Sequence, residues 1–141
     1  MKRLLLQQLE RLSHPWIIWI TFAATVVLSF MFLMGMSLWN FVLIDELYDP
    51  ESITAHLAAL SREQRIAHAW ITGTLDVLYP FAYSAFFIGV TIKAFARIGF
   101  LLAVPAILVA PIDLVEGLAQ IMLLTGHESF LTLKLFATPV K

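Results

Sequence analysis

Two carboxylates in an otherwise uncharged stretch are the residues of this chain whose chemistry most needs an explanation. Asp113 and Glu116 are the acidic residues of segment 98–127, which contains no lysine or arginine. An ionised carboxylate at the middle of a bilayer costs about 2.5 to 3.5 kcal/mol on insertion scales, so such groups need partners or a function. Their i, i+3 spacing puts them on one helix face, which Gln120 continues. The sequence predicts that this face packs against other polar groups inside the protein.

The composition explains why these charges lie in an apolar setting. Of the 141 residues, 60% are hydrophobic and 13% are charged, and the mean hydropathy is +0.86. An average soluble domain has roughly 25% charged residues. The sequence therefore predicts an integral membrane protein and excludes a water-soluble globule.

The apolar segments predict an all-α, multi-pass bundle with three full transmembrane helices and a shorter fourth helix at the C-terminal end. The predicted segments are an interfacial helix at 1–13, transmembrane helices at 15–44, 62–95 and 98–125, an outer loop with a short amphipathic helix at 45–61, and a short fourth helix at 128–141. The last segment would span only about 20 Å, since a helix rises 1.5 Å per residue. The N-terminal segment is expected to stay attached as an anchor, because polar residues interrupt the pattern of a signal peptide.

Local signals predict where individual helices start and bend. Asp49 before Pro50 is typical of a helix start, with an N-cap followed by proline at the first helical position. Residues 61–64, Ser-Arg-Glu-Gln, form a capping-box pattern that predicts the start of the second transmembrane helix. A very short turn at 93–97 would make the second and third helices antiparallel neighbours. Pro105 and Pro111 are expected to kink the third helix.

Helix depth predicts that four ionisable groups share one layer of the bundle. Counted from the outer ends of their helices, Asp76 lies about 10 Å deep, Glu116 about 13 Å and Asp113 about 18 Å. Lys134 of the fourth helix would lie about 9 Å deep. The predicted site residues are these four together with polar residues on the same helix stripes or at the same level, namely Tyr79, Tyr83, Gln120, Thr72 and Asn40.

Two interpretations of this layer stay open. In the first, it is a satisfied internal network in which Lys134 pairs with a carboxylate, another carboxylate is protonated, and neighbouring side chains complete the hydrogen bonds. In the second, it is a binding site, because three acids against one lysine leave an excess of acid that can carry a proton or hold a cation or an ammonium-bearing ligand. The second interpretation gives the leading hypothesis, which is binding or transport of a small cation, proton or amphiphile.

Histidine and methionine offer weaker hypotheses of metal binding. His68 precedes the predicted site on the second transmembrane helix and His56 lies in the outer loop, so a set of histidine and carboxylate ligands is conceivable. No HxxxH or ExxH spacing accompanies them. Met31, Met34 and Met36 offer thioether ligands for Cu(I), but in so apolar a helix methionine is more typical of packing or lipid contact. The sequence therefore predicts no metal site.

Several function classes are disfavoured by what the sequence lacks. No cluster of lysine and arginine could follow a phosphate backbone, which argues against nucleic-acid binding. The absence of cysteine excludes disulfides and thiolate sites. No Ser-His-Asp order, Gly-rich phosphate loop or HExxH pattern is present, so the sequence predicts no cofactor and favours no common enzyme class.

Two alternatives to a cation-binding protein remain. One is an accessory or structural subunit of a larger membrane complex, or a homo-oligomer. The other is a membrane-embedded lipid-modifying enzyme, since aligned carboxylates can act as general acid and base. In this respect alone the chain resembles emopamil-binding-type proteins, which are small helix bundles with intramembrane acids. The resemblance covers no aligned motif, and no residue is carried over from that family.

Lysine and arginine counts predict the orientation in the membrane. Lys2, Arg3, Arg11, Lys93 and Arg97 fall on one side, whereas the opposite loop carries two arginines amid acidic residues. The side with more positive charge is cytoplasmic. We therefore predict an integral membrane protein, in a bacterial inner membrane, with its N-terminus in the cytoplasm.

Overall fold

The computed structural model describes residues 9–40 and 42–138, except for the side chains at positions 45, 96 and 97. Within these residues the chain is all-helical. The helices are α1 (Pro15–Trp39), α2 (Pro50–Ala59), α3 (Arg62–Leu102), α4 (Val104–Leu124) and α5 (Leu131–Ala137), with short 3₁₀ helices at Ile44–Glu46 and Glu128–Phe130. Residues 9–12 are also helical. The rest of the predicted interfacial helix, with Lys2 and Arg3, lies outside the described residues.

Three helical segments are long and apolar enough to cross a membrane, namely Pro15–Trp39, Arg62–Phe95 and Ile98–Leu124. The prediction of an all-α membrane bundle with three full transmembrane helices is thereby confirmed in length and composition. Helix α5 has seven residues, and seven residues rise only about 10 Å. The insertion of a fourth helix into the membrane therefore stays a prediction.

The second and third spans are antiparallel neighbours because the chain folds back within α3. A Cβ atom placed on Gly99 would lie 2.7 Å from the Cα atom of Ile92. Residues seven apart in a straight helix are separated by about 10 Å. Beyond this turn, Ala103 packs in the same buried cluster as Ile88 and Ile92. Any side chain at position 99 would meet backbone atoms, so the turn requires glycine there.

Helix α1 ends at Trp39, and the predicted boundary at residue 44 is wrong. Asn40 has a φ of +49°, which lies in the left-handed region that ends helices and that asparagine tolerates better than most residues. The side-chain Nε2 of Gln64 donates to the carbonyl oxygens of Trp39 and Asn40, at 3.0 and 3.3 Å. The uncharged residues after position 40 therefore belong to the loop.

The predicted helix starts in and after the outer loop are confirmed. Asp49 caps α2, since its Oδ1 accepts a 2.7 Å hydrogen bond from the Ser52 N–H, and Pro50 begins the helix. Hydrogen bonds from the side chain and backbone of Ser52 hold the pKa of Asp49 below its ordinary value. At the start of α3, the Gln64 N–H donates to Ser61 Oγ at 3.1 Å and the Ser61 N–H donates to Gln64 Oε1 at 3.0 Å. This reciprocal pair is a capping box.

The two prolines of α4 differ in their effect on the helix. Pro105 is the second residue of α4, in the first turn, where backbone N–H groups have no helical partner. It therefore marks the start of α4 and does not produce the predicted kink within the helix. Pro111 lies inside α4, and Pro80, which the sequence analysis did not single out, lies inside α3 and is fully buried.

The chain folds as two compact units, of which the first comprises residues 1–29 and 78–111 and the second residues 30–77 and 112–141. In the first unit, Ile88, Ile92 and Ala103 form a buried apolar core. Gly89 lies directly against the backbone of Leu12, since a Cβ atom there would collide with the Leu12 carbonyl oxygen. Glycine is needed for this close approach of two backbones.

The core of the second unit joins the outer loop to the ends of the long helices. Ile44 and Ile53 of the loop are fully buried. The buried residues that cluster with them are Leu60, Ala67, Leu123 and Leu124. The guanidinium of Arg65 donates a 2.5 Å hydrogen bond to the carbonyl oxygen of Leu57, which ties α3 to α2. This core packs α2 against the start of α3 and the end of α4.

Candidate functional site

Buried polar side chains are concentrated in the second unit. Its buried polar and charged residues, among those that the structure describes, are His68, Thr72, Asp113, Glu116, Gln120, Lys134 and Thr138. The first unit contributes only Ser84 to this class within the same described part of the chain. We call these seven residues of the second unit, together with Asp76, the polar cluster. They come from α3, α4, α5 and the residue that follows α5.

Helix α4 supplies one face of the polar cluster. Asp113, Glu116 and Gln120 are spaced i, i+3 and i+7, and their exposed fractions are 5%, 1% and 1%. The Nε2 atom of Gln120 is buried and has no hydrogen-bond partner in the described part of the chain. A buried amide N–H without an acceptor costs about 1 to 3 kcal/mol. A bound polar ligand that accepted this hydrogen bond would remove that cost.

Helix α3 places a second polar stripe against α4. His68, Thr72 and Asp76 follow one another at intervals of four residues, and the first two are buried. A Cβ atom placed on Gly117 would lie 3.5 Å from Asp76 Oδ2 and 3.7 Å from Thr72 Cγ2. The carboxylate of Asp76 therefore lies against α4 at the residue next to Glu116. Because Gly117 has no side chain, the two helices approach closely at this point.

The C-terminal helix adds Lys134 and Thr138, which lie one turn apart. Thr138 Oγ1 lies 2.5 Å from Glu116 Oε1, to which it donates, and 2.9 Å from the carbonyl oxygen of Lys134. Lys134 is fully buried. Its ammonium donates to the carbonyl oxygen of Leu47 and lies 5.8 Å from the ring centre of Tyr48, within the range of a cation–π contact. The lysine thus links α5 to the outer loop.

Most of the predicted site residues fall in the second unit. These are Thr72, Asp76, Asp113, Glu116, Gln120 and Lys134. Asn40 also belongs to that unit, but it is exposed and ends α1. It therefore lies outside the buried cluster, contrary to the prediction. The structure does bring Asp76 against α4, the helix that carries Asp113 and Glu116.

Tyr79 and Tyr83 belong to the first unit, where they form an aromatic group. Their ring centres are 5.1 Å apart, and the ring of Tyr83 lies 6.4 Å from that of Phe87. The hydroxyl oxygens of Ser29 and Tyr79 lie 3.4 Å apart, within hydrogen-bond distance. The phenol of Tyr79 therefore has a partner within its own unit.

Sequence reasoning left His68 and Thr138 out of the predicted site. A signal for both was present in the spacing, since His68 precedes Thr72 by four residues and Thr138 follows Lys134 by four. The ring centres of His68 and His56 are 6.5 Å apart, so α2 covers this histidine. That covering is a tertiary contact, which helix periodicity does not predict.

Comparisons of this chain with protein-family models, with curated proteins and with solved structures find no match. Its function is therefore argued from the geometry of its own residues.

The chemistry of the polar cluster is that of an acid-rich, hydrogen-bonding interior. Asp76, Asp113 and Glu116 provide carboxylates, and threonine and glutamine side chains add neutral donors and acceptors. No group of three or more histidine, cysteine, aspartate or glutamate side chains within the described residues is placed to hold a metal ion. A cage of carboxylates around a divalent cation is therefore not the arrangement found there. A bound proton or ammonium group needs fewer oxygen ligands than a divalent cation does.

Proposed function

We propose that this chain is an integral membrane protein that binds or transports a small cation, a proton or an ammonium-bearing amphiphile at Asp76, Asp113, Glu116 and Lys134. The observation that carries the proposal is the burial of two acids on one face of α4, with a third acid packed against the same helix beside Gly117. Buried acids within membrane-spanning helices are rare, and they commonly mark ion or proton pathways.

The charge balance favours a positively charged ligand. Three carboxylates stand against one ammonium in the cluster, and the ammonium of Lys134 also contacts the carbonyl oxygen of Leu47 and the ring of Tyr48. Each ionised carboxylate placed at mid-membrane costs about 2.5 to 3.5 kcal/mol. A bound proton or ammonium group would lower that cost, so the acid-rich interior is better suited to a cation than to an anion.

The orientation and the membrane are part of the same proposal. Lys93 lies in the last residues of the second span, Arg97 lies between the second and third spans, and Arg11 lies just before the first span. These residues support a cytoplasmic location for that end of the bundle. We propose accordingly that the N-terminus is cytoplasmic and that α2 and the outer loop lie on the opposite side, with a bacterial inner membrane as the location.

The test replaces single acids by their neutral isosteres in the full chain, purified in mild detergent. Wild type should be stabilised against thermal unfolding by a long-chain alkyltrimethylammonium probe below its micellar concentration, or should show acid-dependent stability that the variants lack. A ligand at 100 times its Kd stabilises by about 2.7 kcal/mol. Asp113→Asn and Glu116→Gln should remove the response, whereas Glu63→Gln, an exposed acid at the start of α3, should retain it.

The other outcomes separate the alternatives. If Asp113→Asn and Glu116→Gln lower stability while neither wild type nor the variants respond to the probe or to pH, the cluster is a structural network and the proposal is wrong. Co-purification with a second membrane protein, with no response of the isolated chain, would identify an accessory subunit. Turnover of a membrane lipid that depends on the same acids would identify a lipid-modifying enzyme.

A further inference from the structure

A groove on the second unit brings soft donor atoms together from separate helices. It has a volume of about 310 Å³, and Met36 of α1, His56 of α2, Asn40 and Gln64 are among the residues that line it. His68 of α3 lies behind His56, with ring centres 6.5 Å apart and ring planes at 73°. Helices that are distant in sequence thus contribute a thioether and one imidazole to the groove, and a second imidazole in ring contact with the first.

The two imidazoles are held in an unusually dry setting. His68 is fully buried. The Nε2 atom of His56 is also buried, and within the described residues it has no hydrogen-bond partner. A buried imidazole nitrogen without a partner carries a penalty of about 1 to 3 kcal/mol. A metal ion bound there would offset that penalty, because the neutral imidazole nitrogen is a common metal ligand.

The spacing of the rings suits one ion between them. Metal–nitrogen bonds to histidine are about 2.0 Å long, and each ring centre lies about 1.2 Å behind its nitrogen. Two imidazoles that bind one ion from opposite sides therefore have ring centres about 6.4 Å apart. The observed separation of 6.5 Å leaves room for one ion, and because the rings now meet edge to face, each must turn a nitrogen towards it.

The available donors select among metals. Gln64 is already engaged through both amide atoms, with Ser61 on one side and the end of α1 on the other. The described residues contain no set of three or more histidine, cysteine or acidic ligands placed around one ion, whereas Zn²⁺ sites use three or four such ligands. Two imidazoles and a thioether are instead suited to Cu(I), since thioether ligands select that ion.

We propose that His56, His68 and Met36 form a binding site for Cu(I), opening to the groove on the second unit. Its ligands come from α1, α2 and α3. His68 also belongs to the polar cluster, whereas Met36 and His56 do not. Loss of one ligand should weaken Cu(I) binding by roughly 10- to 100-fold, the range over which even outer-sphere partners change metal affinity.

The test is a competition assay with a chromophoric Cu(I) chelator under reducing conditions, on the full chain in detergent. Ag(I) serves as a redox-inert probe of the same coordination. Wild type should bind one equivalent of either ion, and His56→Ala and Met36→Leu should each weaken binding by the factor given above. The matched controls are His127→Ala and Met34→Leu, which remove an exposed histidine and an exposed methionine outside the groove.

Each outcome has a defined meaning. His68→Gln should also weaken binding, and if that variant does not fold, the half-buried His56 and Met36 still decide the question. Equal Cu(I) affinity in wild type, His56→Ala and Met36→Leu would overturn the proposal. Tighter binding of Zn²⁺ than of Cu(I) would also overturn it, because the ligand set would then be different from the one proposed.

Discussion

The hydrogen bond between Thr138 and Glu116 gives the sharpest test of how the polar cluster is held together. Replacing Thr138 by valine keeps the branched shape and removes the hydroxyl that donates to Glu116 Oε1 at 2.5 Å. The hydroxyl has a single hydrogen, so it cannot donate at the same time to the carbonyl oxygen of Lys134, which is 2.9 Å away. A length of 2.5 Å lies in the range of strong hydroxyl–carboxylate bonds.

The expected magnitude depends on the burial of both partners. Glu116 is 1% exposed and Thr138 is 8% exposed, so water does not replace the lost donor. Hydrogen bonds to charged groups contribute about 1.5 to 3 kcal/mol in soluble proteins. Interhelical polar pairs in a membrane protein average about 0.6 and reach about 1.7 kcal/mol. Because this pair is short and buried, we expect Thr138→Val to lower the free energy of unfolding by about 1.5 kcal/mol.

The measurement is equilibrium unfolding of the full chain in mixed micelles with increasing sodium dodecyl sulfate, followed by far-UV circular dichroism. Thr125→Val is the matched control, because the Thr125 hydroxyl bonds to carbonyl oxygens of its own helix and is exposed. Its effect should stay within about 0.5 kcal/mol. A double-mutant cycle with Glu116→Gln should give a coupling energy of about 1 kcal/mol.

Two results would refute this reasoning. One is a Thr138→Val variant no less stable than Thr125→Val. The other is a coupling energy near zero in the cycle, which would mean that Thr138 stabilises the chain through its contact with its own helix and not through Glu116. Either result would show that the Thr138–Glu116 hydrogen bond does not hold the polar cluster together.

Three further predictions concern the helix ends and close helix contacts. Ser61→Ala removes half of the capping box and should lower the stability by about 1 kcal/mol in thermal unfolding. Gly89→Ala should destabilise by roughly 1 to 3 kcal/mol in the same assay because the added Cβ meets backbone, whereas Gly73→Ala, whose nearest neighbour would be 3.7 Å away, should be tolerated. The hydrogen bonds of Ser52 hold the pKa of Asp49 below its ordinary 3.8, so the Asp49 cap stabilises the fold above that pH and is lost as the pH falls through the lower folded value. Acid titration of the helical signal should show this loss in wild type and not in Asp49→Asn.

Helix existence and helix starts could be predicted from the sequence because both depend on local signals. The three spans follow from long uncharged runs, and the starts of α2 and α3 follow from side chains that bond to backbone within three residues. The end of α1 was harder to predict. No charged residue occurs between Asn40 and Ile44, and the helix ends through a backbone angle at one residue, which hydropathy does not measure.

The candidate site was predictable only as far as helix periodicity reaches. Spacing placed Asp113, Glu116 and Gln120 on one face, and the structure buries all three. Spacing alone could not decide that α2 would cover His68. Nor could it show that Tyr79 would lie in the first unit with Ser29, because both depend on contacts between elements distant in sequence.

Gln64 stabilises the ends of two different helices. Its amide oxygen serves the start of α3, and its amide nitrogen serves the end of α1. Glutamate and glutamine are interchangeable in an ordinary capping box, but here only glutamine supplies both an acceptor and a donor. Gln64→Glu would keep the first function and turn the second into repulsion between oxygens. The side chain of Gln64 thus joins the end of α1 to the start of α3, and replacing its amide nitrogen by oxygen would break the bonds to α1.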